Sequence, residues 1–259
     1  MTDLGTFDFE TDQATLLDGR ITVTQPVKGY RISTDSVYLA AAIDIENGRR
    51  ILDVGCGSGA IGLCLLKRYE EEDIALTNCD VQEMQCQLAQ HNFSFNGFAN
   101  IELKQVDILD CKSNGLTECG FDQVVTNPPY LDDGTAQLSP YENKKIANSG
   151  VSKSILSLWI KSCHYYLKNK GYLSLVQRMD RLDEILHYLH LYKFGDVRIL
   201  PIYTKSDCPA KRVIISARKN VKTPMRMLPP LYVHNADGGY TDEAHHILYD
   251  VKSLPLWKD

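Results

Sequence analysis

Ile51-Leu52-Asp53-Val54-Gly55-Cys56-Gly57-Ser58-Gly59 is an apolar run that breaks into three alternating glycines. Its first four residues read as a buried strand, and a helical pattern follows from Gly59 to about residue 70. A strand that turns through glycines into a helix lets backbone N–H groups approach a ligand closely, and the helix N-terminus adds favourable polarity. The unit marks a nucleotide-like ligand and opens an α/β alternation.

From it, strands are predicted near 50–54, 74–79, 101–106, 121–126, 171–177, 196–203 and 211–218. Helices are predicted near 59–70, 82–96, 152–168 and 180–192. Such alternation requires a mostly parallel sheet with helices on both faces, here of seven strands. The last two strands are joined by Thr204–Ala210, too short for a crossover helix, so the last strand is predicted to be antiparallel. Upstream, residues 14–28 carry a small β-hairpin turning at Asp18-Gly19, then a short apolar helix that Thr34 or Asp35 can cap. Downstream, Pro224, Pro229 and Pro230 precede a Gly238-Gly239 turn and a short helix from about 241 to 248. The expected organisation is a hairpin extension (1–30), a main α/β domain (31–220) and a C-terminal tail (221–259) packed on it. Residues 131–151 form a long irregular connection.

Hydrophobic residues make up 44% and charged residues 24% of the 259, an ordinary soluble balance. The net charge of -5 gives no global attraction to nucleic acid, so any RNA contact needs a local basic patch. The eight cysteines form no C-x-x-C pair and no zinc-spaced Cys/His cluster, and no metal site is expected. Seven histidines, His245 and His246 included, show no catalytic spacing and read as surface or tail residues. No run approaches the ~18 apolar residues of a membrane span. The N-terminus is acidic rather than basic and apolar, and the expectation is a soluble, cytoplasmic protein with reduced thiols.

Gly57-Ser58-Gly59-Ala60-Ile61-Gly62 also fits G-x-G-x-x-G, with Asp80 at a suitable distance for a ribose contact, so a dinucleotide cofactor competes on this segment. The register argues against it. Asp53 lies at the strand end two residues before the first glycine, where an acid suits a cationic or amine-bearing ligand better than a pyrophosphate. Asp53-x-Gly55-x-Gly57-x-Gly59 is similar to the first motif of the class I S-adenosylmethionine (SAM) methyltransferases, which are Rossmann-like. The resemblance implies that these glycines pass under the amino acid part of the cofactor. It also implies that Asp80 accepts from the ribose hydroxyls and Asp107 recognises the adenine amino group, with S-adenosyl-L-homocysteine as product. Taken alone, Asp80 and Asp107 are strand-end acids that cap the segments after them.

Asn127-Pro128-Pro129-Tyr130 ends the fourth strand of the main sheet. Neither proline can donate a ladder hydrogen bond, so the chain turns out there with an amide, carbonyls and an aromatic ring exposed. A planar amine is a poor nucleophile because its lone pair is delocalised. The Asn127 side-chain oxygen and the Pro128 carbonyl can each accept one of its hydrogens, favouring a pyramidal nitrogen, while Tyr130 stacks on the substrate plane. Adenine N6, guanine N2, cytosine N4 and a glutamine side chain all fit this chemistry.

Residues 16–40, from Leu16 to Ala40, closely resemble the leading segment of the bacterial tRNA adenine-N6-methyltransferases that modify the adenine beside the anticodon of a valine tRNA. The resemblance continues through the glycine loop and Asn127–Tyr130, and returns at Ala210–Lys219 and Asp237–Ala244. It implies a tRNA substrate, and that Tyr30, Arg31, Thr34 and Asp35, together with Asn127, line the cofactor pocket. Tyr141–Asn148 departs from the family's Arg-x-x-Ala-type segment, which puts the substrate contacts of that loop in question. Residues 204–226 hold seven basic side chains against one acid, Asp207, and Lys144, Lys145 and Lys153 form a second group. Of these, Lys144, Lys145, Lys205, Lys211 and Arg212 are the candidate RNA contacts. Three alternatives stay in view. A glutamine methyltransferase of the release-factor type carries a helical N-terminal domain, and a guanine-N2 rRNA methyltransferase a duplicated or larger preceding one. A non-catalytic RNA-binding module could share the fold.

Overall fold

The computed structural model describes residues 7–29, 31–98, 101–112, 114–129, 155–254 and 256–257. In chain order, the first elements are β1 (Thr11–Leu16), β2 (Ile21–Pro26), α1 (Thr34–Ala41), β3 (Arg50–Val54), α2 (Ala60–Arg68), β4 (Ala75–Asp80) and α3 (Glu83–Phe95). Next come β5 (Glu102–Gln105), β6 (Phe121–Thr126), α4 (Ile155–Tyr166), β7 (Leu167–Arg178), α5 (Leu182–Leu191), β8 (Phe194–Tyr203) and β9 (Arg212–Lys219). Two short strands, β10 (Arg226–Met227) and β11 (Leu231–Tyr232), and the helix α6 (Asp242–Leu248) complete the chain.

The main sheet runs β5-β4-β3-β6-β7-β9-β8, with β10 and β11 both on the outer edge of β8. β9 is antiparallel to β7 and β8, and the other pairs are parallel. Among the described residues the sheet therefore has nine strands where the sequence predicts seven. The tail supplies the extra two, which cover backbone groups that β8 would otherwise leave as a bare edge. β7 begins at Leu167, directly after α4 and four residues ahead of its predicted start. Its pairing with β6 reaches back to Phe121–Leu167 across a register shift, and Lys170 takes φ +64° within it.

Side chains alternate between two apolar layers. On β7, Leu173 and Leu175 join Ile160, Tyr166, Ile185 and Leu189 of α4 and α5 on one face. Val176 joins Leu39 of α1 and Leu63 of α2 on the other, together with Ile21 and Val23 of the hairpin and Leu231, Ile247 and Leu254 of the tail. β1 and β2 pair from Thr11–Pro26 to Leu16–Ile21, and Asp18 and Gly19 both take positive φ in the turn, as the mirror-image hairpin turns require. Asn92 of α3 and the C-cap residue Asn96 hold that hairpin. Asn92 gives and takes a hydrogen bond with the Thr24 backbone at 2.8 Å each, and Asn96 does the same with Thr22 at 3.0 and 2.7 Å. α1 starts one residue differently from the expectation. Ser33 is its N-cap, and neither Thr34 nor Asp35 caps it, because the Asp35 carboxylate is turned to Arg212 instead.

Candidate active site

The site forms where β3, β4 and β6 end together. Val54 pairs with both Cys79 and Thr126, so Gly55 and Asn127 leave adjacent parallel strands at the same level, two residues beyond Asp53 and its partner Val125. Gly55, Gly57 and Gly59 take φ of +68°, +53° and +88°, a left-handed path that costs ordinary residues ~1–2 kcal/mol each. The loop is tied to β4 through Gly55 and Cys56 N–H donors to the Cys79 carbonyl at 2.9 and 3.0 Å. Gly62, the last glycine of the dinucleotide-like pattern, has a packing duty. A Cβ there would lie 2.6 Å from Asn78 Oδ1 and 2.9 Å from Phe93 Cζ.

Asp53 is fully buried, and neither carboxylate oxygen has a donor in good hydrogen-bond geometry among the described residues. Burial, and then the charge of Asp80, push its pKa up to about 8, against the weaker pull of the Gly62 backbone N–H. A buried acid so poorly supplied with donors is costly in isolation and is relieved by a cation or amine. The site therefore fits a ligand with an ammonium group beside a positive-φ glycine turn. Burial also pushes the Cys56 and Cys79 thiols well up, which keeps both neutral beside the loop.

Asp80 supports the loop directly. Its Oδ2 accepts from Gly57 N–H at 3.0 Å and its Oδ1 from Gln82 N–H at 2.9 Å, at the start of α3. A carboxylate has about four acceptor positions, so these bonds leave capacity for a ligand hydroxyl. Asp107 Oδ1 accepts from Leu109 N–H at 2.8 Å, the capping role open to a strand-end acid. Asn127 is 9% exposed at the end of β6. The Pro128 carbonyl accepts from Gln177 Nε2 on β7 at 3.4 Å. Tyr30, Tyr130, Lys144, Lys145 and Lys153 lie outside the described residues.

Arg31 pairs with Asp12 of β1 at 2.7 Å, on the hairpin side of the site, and Thr34 opens α1. Arg212 pairs with Asp35 at 2.8 Å, which joins β9 to α1 rather than leaving its guanidinium to solvent. The basic run of 204–226 does not make one patch. From Arg212 to Lys219, β9 spans ~23 Å at ~3.3 Å per residue. At its far end Lys219 is buried on the His164 and Leu167 carbonyls, and Arg218 pairs with Asp196 and lies over Tyr172.

Three side chains near the site escape a sequence reading. Trp159 of α4 donates from Nε1 to Thr126 Oγ1 at 2.9 Å, and its ring packs against Gly55. Gln177 holds Pro128, and Asn92 donates to the Ser58 carbonyl at 2.9 Å inside the glycine loop. Each acts across 33 or more residues of chain, so no local spacing reveals it. At the C-terminal end of α6, His245 and His246 and the following Asp250 bring their ligand-type atoms within 4.8 Å of one another, a grouping that the bare histidine spacing does not suggest. His246 and Asp250 make an i,i+4 pair at 2.6 Å.

The profile of the family described as methyltransferase small domain matches residues 30–197, a span that contains the glycine loop, the strand-end acids and Asn127. The chain belongs to that family. Among relatives of this methyltransferase small domain chain, the tRNA1(Val) (adenine(37)-N6)-methyltransferase of Haemophilus influenzae is 28% identical over 82% of this chain and 87% of its own. The protein of the same name from Glaesserella parasuis is 30% identical over 72% of this chain and 75% of its own. A solved structure described as a predicted O-methyltransferase from Agrobacterium tumefaciens superposes with a TM-score of 0.70 at 21% identity, over 85% of this chain and 98% of that one. This last likeness establishes the Rossmann-like methyltransferase fold. No helix among the described residues is long and apolar enough to cross a membrane.

Proposed function

We propose that this methyltransferase uses S-adenosylmethionine to methylate the exocyclic N6 amine of an adenine in tRNA, beside the anticodon. The observation that carries the reading is the shared register of β3 and β6, which sets a buried Asn127 next to the strand end that bears Asp53 and the glycine loop. The choice of adenine in tRNA draws on the relatives from Haemophilus influenzae and Glaesserella parasuis, whose names specify adenine 37 of tRNA1(Val).

When bound, S-adenosylmethionine supplies an electrophilic methyl group. The chain's own residues do the rest. Asp53 takes the ammonium of the amino acid moiety, while Asp80 and Asp107 offer acceptors to ribose and base. The Asn127 amide oxygen and the Pro128 carbonyl accept the two hydrogens of the target amine, so its lone pair is freed from the ring and held in line. Gln177 fixes the direction of the Pro128 carbonyl. No strong base is required first, because the proton becomes acidic only once nitrogen is alkylated. An adenine in a loop costs least to extrude into such a pocket.

Radiolabelled S-adenosylmethionine with total tRNA from a strain lacking this protein, followed by nucleoside mass spectrometry, tests the reading. N6-methyladenosine is the expected product. Label in another nucleoside, or no label in tRNA but transfer when rRNA or a cell protein extract is supplied instead, would move the assignment to another planar amine.

A further inference from the structure

Tyr203 ends β8, and Tyr232 of β11 is its partner in the parallel register. Their ring centroids are 5.4 Å apart at an interplanar angle of 44°, and Tyr232 is 37% exposed. Two facts fix where this pair lies. β8 is parallel to the strands that carry Asp53 and Asn127, so Tyr203 is at the same edge of the sheet as the candidate active site. From β6 the path to β11 crosses β7, β9 and β8, four strand steps or ~19 Å at ~4.8 Å per step. That distance suits a few unstacked nucleotides.

The same edge carries basic side chains. Lys211 is anchored by its backbone to Ile202 at 3.2 Å, one residue before Tyr203, and Lys205 follows two residues after it. Between Thr204 and Lys211 the single acid is Asp207. After β11 the chain returns through the His234–Tyr240 bridge into α6, whose N-cap Thr241 hydroxyl donates to the Tyr232 carbonyl at 2.6 Å and whose Asp242 and Glu243 are exposed. Two lysines and two aromatic faces thus share the edge of the sheet at which the candidate active site lies, the pairing of charge and flat rings that suits a polyanion with unstacked bases.

We infer that Tyr203 and Tyr232, flanked by Lys205 and Lys211, form a stacking rim for unpaired nucleotides next to the target base. The inference rests on the proposed RNA substrate and adds a second point of contact, outside the pocket, that holds the loop while one base is extruded. Base–aromatic stacking tolerates any base, so the rim confers grip rather than sequence choice.

Two measurements on the full-length protein test it: anisotropy with fluorescently labelled total tRNA, and steady-state methyl transfer to the same tRNA. Tyr232→Leu keeps an apolar cover on the edge but removes the π-face, and Tyr232→Phe keeps both. The expected result is a ~10-fold weaker tRNA Kd and a ~10-fold higher KM for Leu, with Phe at the wild-type value. kcat and the Kd for S-adenosylmethionine stay within about twofold for both. Lys205→Ala combined with Lys211→Ala should flatten the salt dependence of tRNA binding. If Leu and Phe bind tRNA alike while the wild type methylates it, the pair is edge packing and the inference is wrong. If tRNA binding depends on the Tyr232 ring but no methyl is transferred, the rim stands and the proposed reaction falls. A wild type that neither binds nor methylates tRNA overturns both.

Discussion

Trp159 Nε1–H donates to Thr126 Oγ1 at 2.9 Å, and the Thr126 hydroxyl donates to the Val54 carbonyl at 2.8 Å. Thr126 precedes Asn127 and Val54 precedes Gly55, so one hydroxyl ties the strand end that bears Asn127 to the glycine loop. Thr126→Val should remove both bonds while keeping the shape, and lower kcat ~10-fold through misplacement of Asn127. It should also cost about 1–3 kcal/mol of stability, because the buried Val54 carbonyl loses its side-chain donor. Trp159→Phe keeps the ring over Gly55 and should be milder, and Thr126→Ser should restore kcat. Steady-state kinetics paired with thermal melts check this. A loss of melting temperature without any change in kcat would show a purely structural link.

Gly55 is confined twice, by φ of +68° and by Trp159, whose Cζ2 would lie 2.9 Å from an added Cβ. Gly55→Ala should destabilise the protein by about 2–4 kcal/mol, combining the left-handed penalty with overpacking. Gly19→Ala provides the control. Its φ is +75° with nothing within 4 Å of a Cβ, so about 1–2 kcal/mol is expected. Denaturant titrations of the two variants should separate them by the packing contribution.

Asp53 links stability to pH. Its folded pKa of about 8 stands well above the unfolded carboxylate value of ~3.9. Between the two, the native state holds a proton that the unfolded state has released, so stability is fullest at low pH and is lost as pH rises through about 8. Without added ligand, the melting temperature should fall from pH 6 to 9, and Asp53→Asn should flatten that slope. A cationic ligand prefers the ionised acid, so S-adenosylmethionine affinity should rise with pH over the same window in the wild type and stay level in the variant. Calorimetric titrations at three pH values decide it.

Asn127→Ala should slow methyl transfer by ~10²–10³, as expected when one preorganised partner of the reacting group is lost. S-adenosylmethionine binding should largely survive, since Asp53 and the glycine loop are intact. Single-turnover rates with saturating cofactor measure the first claim and calorimetry the second. Unchanged turnover would remove Asn127 from the chemistry.

Much of the fold was legible because its signals are local. The period of apolar residues located the seven long strands, and the short Thr204–Ala210 link predicted the antiparallel pairing of β8 and β9. Asp18-Gly19 located the hairpin turn. The two-residue strands β10 and β11 were not legible, since so short a run carries no periodicity and is defined by its pairing with the β8 edge. Asp80 shows a subtler limit. Its place at a strand end was readable, but its hold on the Gly57 N–H depends on how the loop folds back.

By itself, the sequence determined the kind of chemistry. Asp53, the three glycines and Asn127-Pro128-Pro129 each need only their neighbours in the chain to turn a strand end toward a ligand. Tertiary structure decided which charges are free to meet a partner and what keeps the reacting groups in place. Arg212, Arg218 and Lys219 read as one basic run with Lys205 and Lys211, yet the fold spends the first three on Asp35, Asp196 and backbone carbonyls. Trp159 read as one more apolar helix residue until α4 set it across β6, within reach of Thr126. Both outcomes have the same physical cause. Buried polar groups must find partners, and the partners available depend on which distant segments the sheet brings together.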